Sequence, residues 1–183
     1  MPRKKTFQTF REARKIGAYA ERPMLPDETH IQVHLSRNDR PQPFYLICEK
    51  DTMLLAMSGT GRVQFKEASV RDFPLAPGDC VYVPAGAPHR LVPDGESVIL
   101  RYLPREPGLE GVAWYCEACE TALWRHVWDS SGAVAQTQFH TAVETFNGSA
   151  DHRTCSRCGT LHPTIDPAPF AWPALAEELA AER

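Results

Sequence analysis

The sequence lacks the positive charge excess that is typical of nucleic-acid-binding proteins and the long apolar runs that are typical of membrane proteins. Lysine and arginine together number 20 against 23 aspartates and glutamates, and the formal net charge is -3. A general binder of nucleic-acid phosphates carries a positive excess, so we expect no nucleic-acid partner. No apolar run approaches the roughly 20 residues that cross a bilayer, and we expect no membrane association.

We also expect no secretory leader. The first residues are followed by polar positions such as Gln8, Arg11 and Glu12 rather than by an apolar stretch. We therefore expect a cytoplasmic protein. Thiols stay reduced in that compartment, so the six cysteines point to metal binding or reactive thiols before disulfides.

Short apolar or alternating runs, separated by turn residues, fill positions 31 to 103. Runs spaced in this way are typical of an antiparallel sandwich or barrel. The seven predicted strands are IQVHL, PFYLIC, TMLLAM, GRVQF, DCVYVP, HRLVP and SVILRYL, and a later run, TALWRHVW, also has the pattern of a strand.

Helical spacing occurs in three other places. Residues 6–20 place Phe7, Phe10, Ala13 and Ile16 or Ala20 on one face, which predicts a short helix packed on the body. Residues 133–146 favour a second helix. A closing helix is predicted from Trp172 to Arg183, because Pro173 suits a first helical position and Ala, Leu and Glu follow it.

Two cysteine pairs are the strongest chemical signal in the chain. They are Cys116–Cys119 and Cys155–Cys158, each with two intervening residues, and 35 residues separate the pairs. Each C-x-x-C turn points its sulfurs at one place, and two facing turns form a tetrahedral S₄ cage with metal–sulfur distances of about 2.3 Å. Such thiolates favour zinc or iron. Because a closed cage has no open coordination position, we expect a structural metal.

Residues 78–89 carry a second motif, Gly78-x₅-Pro84-x-Gly86-x-x-His89. It combines a turn, a strand and a corner that swings a histidine inward, as in the second sequence motif of cupin barrels, and it makes His89 a candidate metal ligand. The first cupin motif, which should supply further ligands, is not clear. His30 and His34 share one face of a predicted strand, about 13 Å apart, so only one of them could join His89.

The surroundings of the cysteines resemble those in the bacterial 3-hydroxyanthranilate 3,4-dioxygenases. The matching motifs are Trp114-Tyr-Cys116-x-x-Cys119 and Arg153-Thr-Cys155-x-x-Cys158-Gly-x-x-His162-Pro163. The resemblance spans roughly residues 6–163. It implies a cupin (double-stranded β-helix) barrel with a catalytic Fe(II), a second, rubredoxin-like metal site that is not catalytic, and a homodimer.

The catalytic positions depart from this resemblance. Of the three iron ligands that it implies, a histidine falls on or near Ser36, with His34 two residues away, and a glutamate falls on Gln42; the third is retained as His89. A neutral amide is a poor Fe(II) ligand. A pocket glutamate falls at Arg101, which would be costly if buried unpaired. We therefore expect Arg101 either to face solvent or to have an acid or an anionic ligand beside it.

These observations predict a mainly β chain with a cupin barrel and N-terminal helix at 1–108, and a rubredoxin-like metal-binding module with a closing tail helix at 109–183. Three functions stay open. The first is an iron-dependent oxygenase for a small aromatic or anionic substrate other than 3-hydroxyanthranilate, with His89, His34 and Arg101 in its catalytic site. The second is a non-catalytic barrel that binds a small molecule or a partner protein. The third is electron transfer at the cysteines, which requires iron.

Overall fold

The computed structural model describes residues 8–26 and 28–182. The strands are β1 Arg22–Pro23, β2 Ile31–Asn38, β3 Tyr45–Cys48, β4 Thr52–Ser58, β5 Gly61–Phe65, β6 Asp72–Leu75, β7 Cys80–Val83, β8 His89–Pro93, β9 Ser97–Pro104, β10 Leu109–Tyr115 and β11 Ala122–Asp129. The helices are α1 Thr9–Ala13, α2 Ala135–Gly148, α3 Ala150–Arg153 and α4 Trp172–Glu182, with a 3₁₀ turn at Ala168–Phe170.

The strands form two antiparallel sheets. Sheet A has the order β1-β2-β9-β4-β7, and sheet B has the order β11-β10-β3-β8-β5-β6. Apolar side chains of both sheets meet in one core, for example Leu54 of sheet A with Leu46 and Val63 of sheet B. All seven strands predicted between residues 31 and 103 are confirmed, as is the mainly β architecture; β1, β6 and β10 were not predicted.

The predicted N-terminal helix is confirmed in part. It is only five residues long, Thr9–Ala13, and Phe10 is 48% exposed rather than packed. Ala13 and Ile16 are buried in a second apolar cluster on the outer side of sheet A, together with α4. Phe7 lies outside the described residues. The helical spacing therefore predicted the burial of Ala13 and Ile16 correctly but overestimated the length of the helix.

The segment after α1 has an unusual backbone that directs two side chains inward. Tyr19 and Glu21 have φ values of 45° and 51°, in the left-handed region that L residues rarely adopt. The conformation is held from both sides, because Tyr19 N–H donates to the Arg37 carbonyl at 2.9 Å and Trp172 Nε1 donates to the Tyr19 carbonyl at 3.0 Å. As a result, a carboxylate enters the barrel from outside the regular strands.

The cysteine-containing part of the chain continues sheet B. Strand β10 pairs with β3 on one side and with β11 on the other, and Trp114, Phe146 and Trp172 join the barrel core. Helices α2 and α4 confirm the two later helix predictions. The division at residue 108 stays a prediction. None of the helices in the described ranges has the length and apolar content of a membrane span.

Candidate functional site

The sulfurs of the two cysteine pairs converge on one point. All four lie within 4.8 Å of one another, with 3.5 Å between Cys116 and Cys158 and 3.4 Å between Cys119 and Cys155. A disulfide needs about 2.05 Å, and all four cysteines are free thiols. This is the donor set of a tetrahedral zinc or iron site, and the residues present fit such an ion.

The two turns that carry these cysteines have the same backbone pattern. In each turn the first cysteine donates its N–H to the carbonyl five residues later and accepts, through its own carbonyl, the N–H four residues later, at 2.8 or 2.9 Å. The residue four positions after the first cysteine has a positive φ, 62° at Glu120 and 74° at Gly159. Glycine adopts this conformation readily. Glu120 is held in it by ion pairs with Lys66 and Arg71.

The thiols differ in how readily they ionise. Hydrogen bonding to the Thr121 side chain lowers the pKa of Cys119 to about 6, and Thr160 lowers the pKa of Cys158 in the same way. Burial raises the pKa of Cys116 to about 11. Metals bind thiolates, so an ion at the centre would supply the positive charge that deprotonates the less acidic thiols.

His89 lies inside the barrel, as the second cupin motif predicts. It is 2% exposed, and the corner that turns it inward contains Gly86 with a φ of 76°. Its Nδ1 donates to the Ala87 carbonyl at 3.1 Å, which leaves the lone pair of the neutral ring on Nε2. Burial, with a contribution from the charge of Arg101, lowers the pKa of His89 to about 4.

Acidification from pH 7 to pH 5 should lower the free energy of unfolding by about 2 kcal/mol through His89 alone. The pKa of His89 is about 4 in the fold, against about 6.5 in an unfolded chain. Between these values the unfolded chain binds more protons, so stability rises with pH. Chemical denaturation of the wild type and His89→Gln at both pH values measures this difference, and an identical pH dependence of the two proteins would contradict it.

Arg101 lies in the barrel interior and is 1% exposed. Its strand, β9, runs between β2 and β4 in sheet A. Arg101 Nε donates to Glu21 Oε2 at 2.6 Å, across 80 residues of sequence, and Arg101 Nη2 lies 3.0 Å from His34 Nδ1. The solvent-facing alternative for Arg101 is therefore wrong, and the acid that a buried arginine requires is Glu21.

Glu21 is the centre of this interior network. Burial alone would raise the pKa of Glu21, but the charge of Arg101 and the contacts with His34 hold it well below its usual range. Ser36 Oγ donates to Glu21 Oε1 at 2.9 Å, and His34 Nδ1 lies 3.2 Å from Glu21 Oε2. Because Nδ1 can either accept from Arg101 or donate to Glu21, its protonation decides which contact is a hydrogen bond.

The positions that the resemblance assigns to barrel iron do not form a three-ligand set. Ser36 is engaged with Glu21, and Gln42 Oε1 accepts the Leu91 N–H at 3.1 Å. His30 is exposed. In the described ranges, the four cysteines are the one group of three or more His, Cys, Asp or Glu side chains whose ligand atoms converge. The arginine adds positive charge to the same interior, so the residues present do not fit Fe(II) in the barrel.

A cleft of about 610 Å³ adjoins the network. Its polar lining includes Glu21, His34, Cys48, Glu110 and Gln136. The size suits a small molecule. Sequence reasoning did not identify Glu21, Glu110 or Gln136, because none stands in a motif. The one available signal was indirect: a buried arginine at position 101 would require an acid.

Comparison with known proteins finds curated sequence relatives that share one name. No family model matches the sequence. The 3-hydroxyanthranilate 3,4-dioxygenase of Xanthomonas euvesicatoria is 32% identical over 101 residues, 53% of this chain and 55% of the relative. The enzyme of that name from Neurospora crassa is 28% identical over 126 residues, 68% of this chain and 64% of the relative. The aligned part is thus between half and two thirds of these curated relatives.

Two solved structures resemble part of the chain at low sequence identity. Hydroquinone 1,2-dioxygenase from Sphingomonas sp. TTNP3 has a TM-score of 0.47 at 15% identity, over 53% of this chain and 72% of that one. A cupin-2 domain protein from Shewanella frigidimarina has a TM-score of 0.45 at 16% identity, over 55% of this chain and 94% of that one. In sequence the chain is therefore similar to curated 3-hydroxyanthranilate 3,4-dioxygenases, and in fold it is a mainly antiparallel β chain.

Proposed function

We propose that this chain is a divergent, metal-binding relative of these dioxygenases whose metal is structural and whose barrel binds a small molecule without a resident iron. The observation that carries the proposal is the buried contact between Arg101 and Glu21. An Fe(II) site needs anionic or imidazole ligands directed at the ion. Here the interior carboxylate of Glu21 is paired with a guanidinium instead, and Gln42 stands where the resemblance implies the glutamate ligand.

The four-cysteine site supports the structural part of this proposal. Zinc or iron held by four thiolates has no open position for substrate. The first turn joins β10 to β11 and the second follows α3, so one ion would link two turns that are far apart in sequence. A cytoplasmic location, in which thiols stay reduced, belongs to the same proposal.

The cleft that Glu21 and His34 line supports a small aromatic ligand with polar substituents. Charged groups of both signs line it, with four glutamates beside Lys50 and Arg105, and leucines add apolar surface. Mixed walls of this kind bind ligands with one polar end and one apolar end.

A homodimer is also part of the proposal, because the resemblance implies one. Two large apolar side chains on the outer face of sheet A are exposed, Met53 at 43% and Tyr82 at 60%. They are cross-strand partners in β4 and β7. A second copy of the chain would cover them.

A second candidate function is an oxygenase that acts on a small aromatic substrate. The names of the curated relatives favour it, as does His89, whose neutral ring keeps a lone pair on Nε2. It requires further ligands for iron, which the described interior does not bring together.

Metal content per chain decides between the two functions. We expect one ion per chain, unchanged in His89→Ala and in the control His30→Ala, and oxygen uptake with 3-hydroxyanthranilate no faster than in buffer. Metal analysis and an oxygen electrode measure these quantities. Two ions per chain, one of them lost in His89→Ala, or a robust oxygen uptake would contradict the ligand-binding proposal and support the oxygenase.

A further inference from the structure

We propose a second ligand site, for a small oxyanion, on the outer side of sheet B beside the first cysteine turn. It is a cleft of about 270 Å³ that shares no lining residue with the barrel cleft. Its main polar and aromatic lining residues are Tyr45, Gln64, Lys66, Arg90, Tyr115 and His162. The inference does not rest on the proposed function of the barrel.

Arg90 supplies a positive charge that no acidic side chain neutralises in the described residues. Its Nε donates to Gln64 Oε1 at 2.9 Å, and its guanidinium carbon lies 4.8 Å from the centre of the Tyr45 ring. The amide of Gln64 is itself engaged with Asp72. The planar ring contact fixes the orientation of the guanidinium, and its terminal N–H groups keep donors that suit the paired oxygens of a carboxylate or phosphate.

Lys66 adds a second, partly neutralised charge. Its Nζ lies 5.5 Å from the Tyr45 ring centre and 5.6 Å from the Tyr115 ring centre, and it pairs with Glu120 at 3.2 Å. Its side chain is only 15% exposed. Because this lysine is partly buried, bulk water screens its charge less, and the positive potential at the cleft is stronger.

Tyr115 supplies a donor without an acceptor. The residue is 7% exposed, and its hydroxyl is buried with no hydrogen-bond partner in the part of the chain that the structure describes; Arg125 is nearby but outside hydrogen-bonding geometry. Buried polar groups are nearly always satisfied, and a ligand oxygen in the cleft would be the acceptor.

The balance of groups favours an anion over a cation. Glu117 is the one carboxylate on the lining, and it is exposed. By contrast, Lys66 lies against the Tyr45 and Tyr115 rings and Arg90 against the Tyr45 ring. A carboxylate and a phosphate offer the same chemistry to these donors, and the experiment separates them.

Titration calorimetry of the metal-loaded full chain, at constant ionic strength, tests the site with sodium phosphate and separately with sodium succinate. We expect one saturable site per chain for at least one of the two anions. Arg90→Gln should weaken binding about tenfold or more, because a charge-assisted bond is lost. Tyr115→Phe should weaken it about fivefold. Arg62→Gln, on the same sheet but paired with Asp72 outside the cleft, should leave it unchanged.

The outcomes are distinct. Binding of phosphate alone or of succinate alone identifies the class of anion. The proposal is overturned if neither anion gives a saturable isotherm, or if Arg90→Gln and Arg62→Gln have the same effect. Circular dichroism of each variant separates lost binding from lost folding, and Tyr115→Phe, which removes a single oxygen, keeps the test decisive if Arg90→Gln is unstable.

Discussion

Replacing Cys155 with serine should release the metal ion and loosen residues 111–163. A serine hydroxyl does not replace a thiolate, and the three remaining sulfurs leave the cage open. Structural zinc contributes about 10–16 kcal/mol in zinc-finger peptides near neutral pH, comparable to the whole stability of a domain. We expect metal content close to zero and a large loss of hydrogen-exchange protection in this segment.

The barrel should respond less than the cysteine segment. Trp114 stacks on Phe146 with ring centres 4.3 Å apart, and both belong to the shared core, so strands away from the turns keep their packing. Cys80→Ser is the matched control, because Cys80 is an exposed free thiol on β7. If Cys155→Ser retained as much metal as Cys80→Ser, the four-cysteine site would not be the metal site.

Removing the carboxylate of Glu21 should be the most damaging single change inside the barrel. Glu21→Gln keeps the size and shape of the side chain, but it leaves the Arg101 guanidinium buried without its counterion. Breaking a buried pair from one side costs about 3–5 kcal/mol. Arg101 cannot escape by losing its proton, because a guanidinium stays charged in proteins. Urea denaturation near neutral pH measures the loss.

Two controls define the expected result. Glu178→Gln removes a half-exposed carboxylate that pairs with Arg22, and its effect should stay below about 1 kcal/mol. The double variant Glu21→Leu with Arg101→Met should recover much of the loss, since apolar residues of similar volume often replace a buried ion pair without cost. A small effect of Glu21→Gln, equal to that of Glu178→Gln, would show that the interior pair does not hold the fold.

Acidification should weaken the pair of Glu21 and Arg101 and so lower the free energy of unfolding. The pKa of Glu21 lies well below its usual range in the fold, so its contribution to stability is complete above the unfolded pKa, about 4.3, and is lost as the pH falls further. This window lies below that of His89, and the two contributions therefore separate along the pH axis.

Features that depend on neighbours in sequence were predictable here. The C-x-x-C turns, the corner before His89 and the turn-bounded apolar runs of β2 to β5 and β7 to β9 each arise within a few residues, where local backbone geometry decides the outcome. The short β1 and β6 were missed because two to four residues carry too little pattern. Strand β10 was missed because its residues are buried on both faces, so it lacks the alternation of a half-exposed strand.

The sequence by itself determined the strands between residues 31 and 103, the two cysteine pairs and the presence of an arginine where the resemblance implies a glutamate. Only the tertiary structure decided what that arginine does. Strand β9 is covered on both sides at position 101, so its alternation could not assign a face, and the partner Glu21 reaches it through two left-handed residues far away in the chain. The counterion of a buried charge is the group that folding brings next to it. A local sequence pattern does not contain that distance.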